Sequence, residues 1–245
     1  MLDTLTKLDP QSFMGAFVRL PLRLIPRDHV TVVRRGINKG FRWVVGSSIH
    51  GCWLGTYEHK KQTLMSRLLR PGMVVWDVGA NAGFYSLAFS RLVGDAGKVY
   101  AFEPFAENTT NLLTHLRLNN IKNTQIVQAA LAETTGLSGF SVAASNSMGH
   151  LSQQVSSYLV PSIAVDDFLA RCPEARPDLF KIDIEGAESS LLLGGFSPAA
   201  PLCTRNCTGA AWREPESALR RAPALIWVFD LLCGWIIGRL NATEK

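Results

Sequence analysis

The chain has 245 residues, with 25 Lys and Arg against 20 Asp and Glu, a net charge of +5 and 47% hydrophobic residues. This apolar content is ordinary for a globular protein and excludes a chain without a core, and the length suits one domain with an extension. The five cysteines form no disulfide or metal framework, no secretory signal is recognisable and no stretch suits a transmembrane helix, so we expect a cytoplasmic protein without a metal site.

Residues 1–70 form a basic extension ahead of the predicted core, with twelve Lys and Arg against four Asp and Glu. Residues 1–37 look helical, and residues 41–57 alternate enough to predict a small hairpin. Residues 58–69 predict a helix that stops before Pro71-Gly72. The positive charge favours a docking helix with solvated arginines, and a weak contact with an anionic membrane surface is the alternative.

Strands and helices alternate through residues 71–195, the predicted core. Such alternation is typical of an α/β fold, a mostly parallel, Rossmann-like sheet with helices on both faces. Right-handed crossovers then place the carboxyl ends of the strands on one rim, where ligands bind. The main predicted strands are 73–78, 98–102, 124–130 and 179–184, the helices are 83–92, 106–119 and a turn at 166–171, and an inserted hairpin (139–142 with 150–155) precedes a short strand at 162–164.

A tight glycine loop follows the first core strand, and an acid ends the second. The loop begins after Asp77 and contains Gly79 and Gly83, which let the backbone turn sharply and let a ligand approach closely. Glu103 comes one helix and one turn later, where a carboxylate can accept both ribose hydroxyls of an adenosine. Loop and acid together predict a nucleotide-type cofactor site.

The loop favours S-adenosylmethionine over NAD. A dinucleotide site has the pattern G-x-G-x-x-G, whereas Asn81 stands at the middle glycine position here. Asp77 would repel a phosphate but can hold an ammonium group, directly or through water, and S-adenosylmethionine carries an α-amino group and no phosphate. We therefore expect Asp77 to hold the amino group and Glu103 the ribose hydroxyls. The residues expected to shape the loop are Gly79, Ala80, Asn81 and Gly83.

Two residues beyond Glu103 are further candidates for cofactor binding. Pro104 is placed to pack near the adenine, with a purely structural turn as the alternative. Asn108 either contacts the ligand or helps to start the second core helix.

Charged residues alternate with isoleucines in the fourth core strand. Period-two geometry puts Lys181, Asp183 and Glu185 on one side of this strand, although a central parallel strand is normally apolar on both faces. The functional interpretation is that Asp183 and Glu185 are catalytic and face the methionine end of the cofactor and the acceptor, with Asp183 as the base or an orienting group. The alternatives are an ion pair through Lys181 and helix capping by Glu185 and Glu188.

An ordered set of segments carries a family resemblance over roughly residues 40–195. The segments are Gly55-Thr56-Tyr57-Glu58, residues 77–83, Phe102-Glu103-Pro104, Asn108, Asn119-Asn120, residues 165–169 and residues 181–188. Together they resemble the FkbM family of S-adenosylmethionine-dependent methyltransferases. The resemblance implies a class I methyltransferase fold and, commonly, O-methylation of a hydroxyl on a sugar or secondary metabolite, so the expected partner is a small-molecule or glycan acceptor.

Residues 196–245 depart from the family pattern. We expect a divergent segment, truncated or rearranged, in which residues 222–229 are the candidate for a fifth strand. This segment keeps open a non-catalytic, truncated paralogue as an alternative function, and an NAD-linked Rossmann oxidoreductase is another. A nucleic-acid partner is not expected, because the extension lacks interleaved aromatic residues and the Asn/Asp-Pro-Pro-Tyr/Phe base-methylation pattern is absent.

Overall fold

The computed structural model of the chain describes residues 22, 24–142, 149–151, 158–183, 224–231 and 234–241. Its strands are β1 (Val30–Val32), β2 (Arg42–Val44), β3 (Val74–Val78), β4 (Lys98–Phe102), β5 (Thr124–Val127), β6 (Ala130–Leu131), β7 (Gly136–Val142), β8 (Gly149–Leu151), β9 (Tyr158–Ile163), β10 (Leu179–Ile182), β11 (Ala224–Leu231) and β12 (Gly234–Asn241). Its helices are α1 (His50–Leu54), α2 (His59–Leu68), α3 (Phe84–Val93), α4 (Ala106–Leu118) and α5 (Val165–Arg171), with short 3₁₀ helices at Val45–Ser47 and Pro173–Ala175. Within these residues, none of the helices combines the length and apolarity needed to cross a bilayer.

The central sheet has six strands in the order β12-β11-β10-β3-β4-β5. All neighbouring pairs are parallel except β11 with β12. The central strand β3 is nearly continuous in apolar residues, and Val75, Trp76 and Val78 are each at most 1% exposed, as expected for a strand covered on both faces. The predicted α/β fold with a mostly parallel, Rossmann-like sheet is therefore confirmed.

Alternate residues of the central strands face two different core clusters. Val75 and Val99 pack on one face with α3, α4 and the N-terminal extension. Trp76 packs on the other face, where its ring centroid lies 4.8 Å from that of Phe102 and 4.9 Å from that of Phe180, and α5 covers this cluster. The two layers fix β3, β4 and β10 side by side, which positions the residues that follow them.

A second sheet of four strands, in the order β6-β9-β7-β8, is inserted between β5 and β10. The antiparallel pairing of β7 with β8 confirms the predicted hairpin, and the short strand predicted at 162–164 is the end of the longer β9. The single strand predicted at 124–130 is wrong. The chain leaves the central sheet after Val127, whose carbonyl accepts a hydrogen bond from the Ala129 N–H at 2.8 Å, and β6 then joins the second sheet.

The N-terminal extension differs from the prediction. The hairpin pairs β2 with β1, which lies before residue 41. The hairpin predicted within 41–57 is therefore wrong for its second half, where α1 forms instead of a strand. The helix predicted over 1–37 is wrong at Val30–Val32, which is a strand. The pairing depends on long-range packing, since the ring of buried Trp43 stacks on His115 of α4 at 3.9 Å. The helix predicted over 58–69 is confirmed as α2, whereas residues 1–21 lie outside the described part of the chain.

The candidate fifth strand is confirmed at the C-terminal end. β11 lies parallel to β10, with Leu179 opposite Ile226. β12 then pairs antiparallel with β11 over eight residues, an addition that the sequence did not predict.

Candidate functional site

The glycine loop after β3 combines three left-handed residues. Gly79, Asn81 and Gly83 have φ values of +73°, +49° and +94°, and asparagine is one of the few residues besides glycine that tolerates this region. The N–H groups of Gly79 and Ala80 both donate to the carbonyl of Phe102 on β4 at 3.0 Å. The loop is thus tied to the neighbouring strand by its backbone.

Gly83 is required at the start of α3 for two reasons. Its φ of +94° is strained for any side chain, and a Cβ there would lie 2.3 Å from Cδ1 of Leu112 on α4. Glycine therefore allows α4 to pack closely against the loop.

Glu103 lies at the end of β4 and faces the loop. It is 4% exposed; its Oε2 accepts a hydrogen bond from the Asn81 N–H at 2.8 Å, and its Oε1 accepts from the Phe105 N–H at 3.0 Å and from Asn108 Nδ2 at 3.3 Å. Burial raises the pKa of Glu103 above its usual value, and these hydrogen bonds oppose the rise. Asn108 therefore orients the acid, while Pro104 next to it is half-buried.

Asp77 is fully buried on β3, where Oδ2 accepts a hydrogen bond and Oδ1 lies in an ion pair that lacks hydrogen-bond geometry. Oδ1 lies 3.0 Å from Lys181 Nζ, and Oδ2 accepts a hydrogen bond from Ser86 Oγ at 2.6 Å. Its contact with a cofactor amino group stays a prediction. In the structure, Asp77 connects β3 to β10 and to the first turn of α3.

Lys181 is the centre of a buried ion-pair group. Besides Asp77, its Nζ lies 3.4 Å from Asp183 Oδ2 and donates to the Gly79 carbonyl at 3.3 Å. Burial alone would lower the pKa of Lys181, but the two carboxylates outweigh burial and raise it. The alternative interpretation of Lys181, an ion pair, is therefore confirmed.

Asp183 follows β10 on the same side of the rim, and its side chain is 28% exposed. Burial alone would raise the pKa of Asp183, but Lys181 and Lys61 lower it below its usual value. The carboxylate is thus ionised at neutral pH and accepts hydrogen bonds. Its catalytic role stays a prediction, and Glu185, the other catalytic candidate, lies outside the described residues.

Sequence reasoning missed the contribution of the first turn of α3 and of the residues before α2. The Tyr85 hydroxyl donates to Glu58 Oε2 at 2.8 Å, and Lys61 forms an ion pair with the same carboxylate. Lys181 Nζ lies 5.2 Å from the centroid of the Tyr85 ring. Burial, and then the charge of Glu58, raises the pKa of Tyr85, which keeps its proton. The signal for these contacts was Glu58 itself, which belongs to one of the segments of the family resemblance.

His115 of α4 was also missed, since no pattern in the sequence marks it. Its Nε2 accepts a hydrogen bond from the Val44 N–H at 3.0 Å, so the ring proton is on Nδ1, which donates to the Ala82 carbonyl at 2.8 Å. Burial lowers the pKa of His115 to about 4. The neutral ring therefore joins the N-terminal hairpin to the glycine loop.

The chain was compared with known proteins. The sequence model of the "Methyltransferase FkbM domain" matches residues 77–204, and no curated protein matches. Methyltransferase FkbM from Methylobacillus flagellatus is 19% identical, with 59% of this chain and 38% of that chain covered and a TM-score of 0.37. A SAM-dependent methyltransferase from Aquifex aeolicus is 30% identical over 32% of this chain and 42% of that chain, with a TM-score of 0.28. Aeropyrum pernix fibrillarin, solved with S-adenosyl-L-methionine, is 11% identical over 66% of this chain and 47% of that chain, with a TM-score of 0.34.

This chain spans less than half the length of each of these solved structures. The family match is broader, because residues 77–204 make up more than half of the chain and include the loop, Glu103 and the end of β10. The chain therefore belongs to the FkbM methyltransferase domain family.

Proposed function

We propose that the chain is an S-adenosylmethionine-dependent methyltransferase that methylates a hydroxyl oxygen of a sugar or secondary metabolite. The observation that carries the proposal is the pairing of a left-handed glycine loop with the buried carboxylate of Glu103, joined by the 2.8 Å hydrogen bond from the Asn81 N–H. Membership of the FkbM family supports the same activity.

The residues around the loop fit an adenosine with a free ribose. Ribose hydroxyls are donors, and a carboxylate is an acceptor-only group while it is ionised. One carboxylate oxygen of Glu103 accepts a hydrogen bond from the loop, and the other accepts one at the start of α4. The orientation of the carboxylate is therefore set before a ligand arrives. Such preorganisation reduces the entropy lost on binding.

Methyl transfer depends chiefly on alignment of the acceptor oxygen. When bound, S-adenosylmethionine supplies an electrophilic methyl group on a sulfonium centre. Holding two reactants in line contributes roughly 7–11 kcal/mol, and a base that takes the hydroxyl proton adds roughly 10²–10⁴-fold. Asp183, ionised and partly exposed at the rim, is proposed to orient the acceptor hydroxyl and accept its proton.

Calorimetric titration of the purified chain with S-adenosylmethionine tests the cofactor, with NAD as the control ligand. We expect binding of S-adenosylmethionine alone, and a loss of at least roughly 10-fold to 100-fold in affinity for Glu103→Ala, the range of one hydrogen bond to a charged group at about 1.5–3 kcal/mol. Binding of NAD instead, or wild-type affinity in the variant, would contradict the proposal. Once binding is shown, a screen of hydroxylated acceptors with the same preparation identifies the substrate class.

A further inference from the structure

The two polar ends of the proposed cofactor must meet different groups at the rim. β3 lies between β4 and β10, so Glu103 is on one side of the loop and the Lys181 group is on the other. With the ribose at Glu103, the amino-acid end lies beyond the loop, toward β10. Among the described residues, the charged and phenolic groups on that side are Glu58, Lys61, Asp77, Tyr85, Lys181 and Asp183.

These groups carry an excess of one negative charge. Three carboxylates, on Glu58, Asp77 and Asp183, face two ammonium groups, on Lys61 and Lys181, while the Tyr85 phenol is neutral. S-adenosylmethionine carries an ammonium, a sulfonium and a carboxylate, a net charge of +1. The described part of the β10 side is therefore complementary to the net charge of this molecule, and a carboxylate on that side can accept from its ammonium group.

Only some of the carboxylates are open to a ligand. Asp77 is fully buried, and its Oδ1 is covered by the ammonium group of Lys181 at 3.0 Å, while Asp183 is proposed to serve the acceptor. The Glu58 side chain is 21% exposed, and an ionised carboxylate has about four acceptor sites, so its contacts with Tyr85 and Lys61 leave room for a further donor. The Tyr85 hydroxyl holds Glu58 beside the first turn of α3, just after the loop.

The backbone of Glu58 supports a functional role for its position. Its φ of +44° and ψ of +49° are left-handed, directly before α2. This conformation costs free energy for a residue other than glycine. The buried side chain of Gln62 helps to fix this backbone, since its Oε1 accepts from the Ile37 N–H at 2.8 Å and its Nε2 donates to the Tyr57 carbonyl.

We propose that Glu58 binds the ammonium group of the amino-acid end of S-adenosylmethionine. This inference rests on the proposed function. It assigns part of the cofactor site to the extension, outside residues 77–204 that the family model matches. Asp77 then acts as a positioning residue for Lys181 and for the loop.

The test compares two ligands that differ in the amino-acid end. S-adenosylhomocysteine has the ammonium and carboxylate, whereas methylthioadenosine has the same adenosine and thioether without them. Glu58→Gln should weaken calorimetric affinity for S-adenosylhomocysteine roughly 10-fold to 100-fold, the range of a hydrogen bond to a charged group, and leave methylthioadenosine within about 2-fold. Glu58→Asp, which keeps the charge on a shorter side chain, should lie between the two.

Glu174→Gln, at an exposed carboxylate away from the rim, is the matched control and should change neither affinity. Thermal unfolding of each variant verifies that it is folded. Equal weakening of both ligands by Glu58→Gln would assign Glu58 a structural role and overturn the inference, as would unchanged affinity for both. If the wild type binds neither ligand, the proposed function fails as well; if it binds both and Glu58→Gln has no selective effect, only this inference fails.

Discussion

On the β4 side of β3 the rim is held by hydrogen bonds from backbone N–H groups, whereas on the β10 side it is held by ion pairs among mostly buried charges. The carbonyl of Phe102 and the carboxylate of Glu103 accept loop N–H groups on the first side. On the second side, Lys181 bridges Asp77 and Asp183. The difference shows that one site can combine a β4 side fixed by local backbone geometry with a β10 side whose stability depends on the balance of its charges.

The largest effect is expected on the β10 side. Lys181→Met should lower the free energy of unfolding by about 3–5 kcal/mol, because removal of one partner leaves the Asp77 carboxylate buried and uncompensated. Urea denaturation measures the loss. Lys122→Met, at an exposed lysine, should stay within about 0.5 kcal/mol of the wild type.

A double variant sharpens the interpretation. Asp77→Asn added to Lys181→Met should recover part of the lost free energy, because the orphaned charge is removed. Additive losses would mean that the two sides of the rim do not differ in their dependence on charge.

The second effect is a pH dependence of the free energy of unfolding that arises from His115, which contacts the loop through Ala82. Burial holds the pKa of His115 near about 4, whereas an unfolded histidine titrates at about 6.5. The unfolded state therefore binds the proton first as the pH falls. His115 contributes stability that is fully present above about pH 6.5 and is lost as the pH falls toward about 4, with a total of about 3 kcal/mol.

Urea denaturation between pH 7.5 and pH 4.5 measures this loss. His115→Gln, which offers a donor and an acceptor without a titrating ring, should show a flatter pH dependence than the wild type. Parallel pH profiles for the two proteins would count against a neutral, buried His115 as the link between the hairpin and the loop.

The smallest effect separates conformational strain from close packing in the loop. Gly83→Ala and Gly40→Ala each place a side chain at a φ near +90°, which costs roughly 1–2 kcal/mol. Only Gly83→Ala also presses on buried Leu112, so it should lose a further 1–3 kcal/mol or so in denaturation experiments. Equal losses in the free energy of unfolding for the two variants would indicate that Leu112 and α4 move to accommodate the new methyl group without loss of stability.

The sequence predicted the β4 side better than the β10 side because of how far apart the contributing residues are. The loop and Glu103 belong to one continuous strand-helix-strand unit, so their spacing alone indicated that they meet. Lys181 was recognised as an unusual charge in a central strand, yet its partner could be named only from the register that sets it opposite Asp77.

Glu58 and His115 depend on how the N-terminal extension packs against α3 and α4, which no local pattern encodes. The misplaced hairpin has the same cause. β1 has three residues and gains its partner through the burial of Trp43 on β2, and such short pairings are set by tertiary packing more than by propensity.

The unequal edges of the central sheet bear on aggregation. β5 forms one edge with four residues, because the chain leaves the sheet after Val127, whereas β12 forms the other edge among the described strands with eight. A short edge strand offers little unpaired backbone to another chain, and a long one is a template on which a foreign strand can add. β12 also reads Gly-Trp-Ile-Ile-Gly-Arg-Leu-Asn, in which Arg239 is the one charge that opposes such growth. Among the described strands, β12 is thus the one whose outer edge offers the longest template for a strand of another chain.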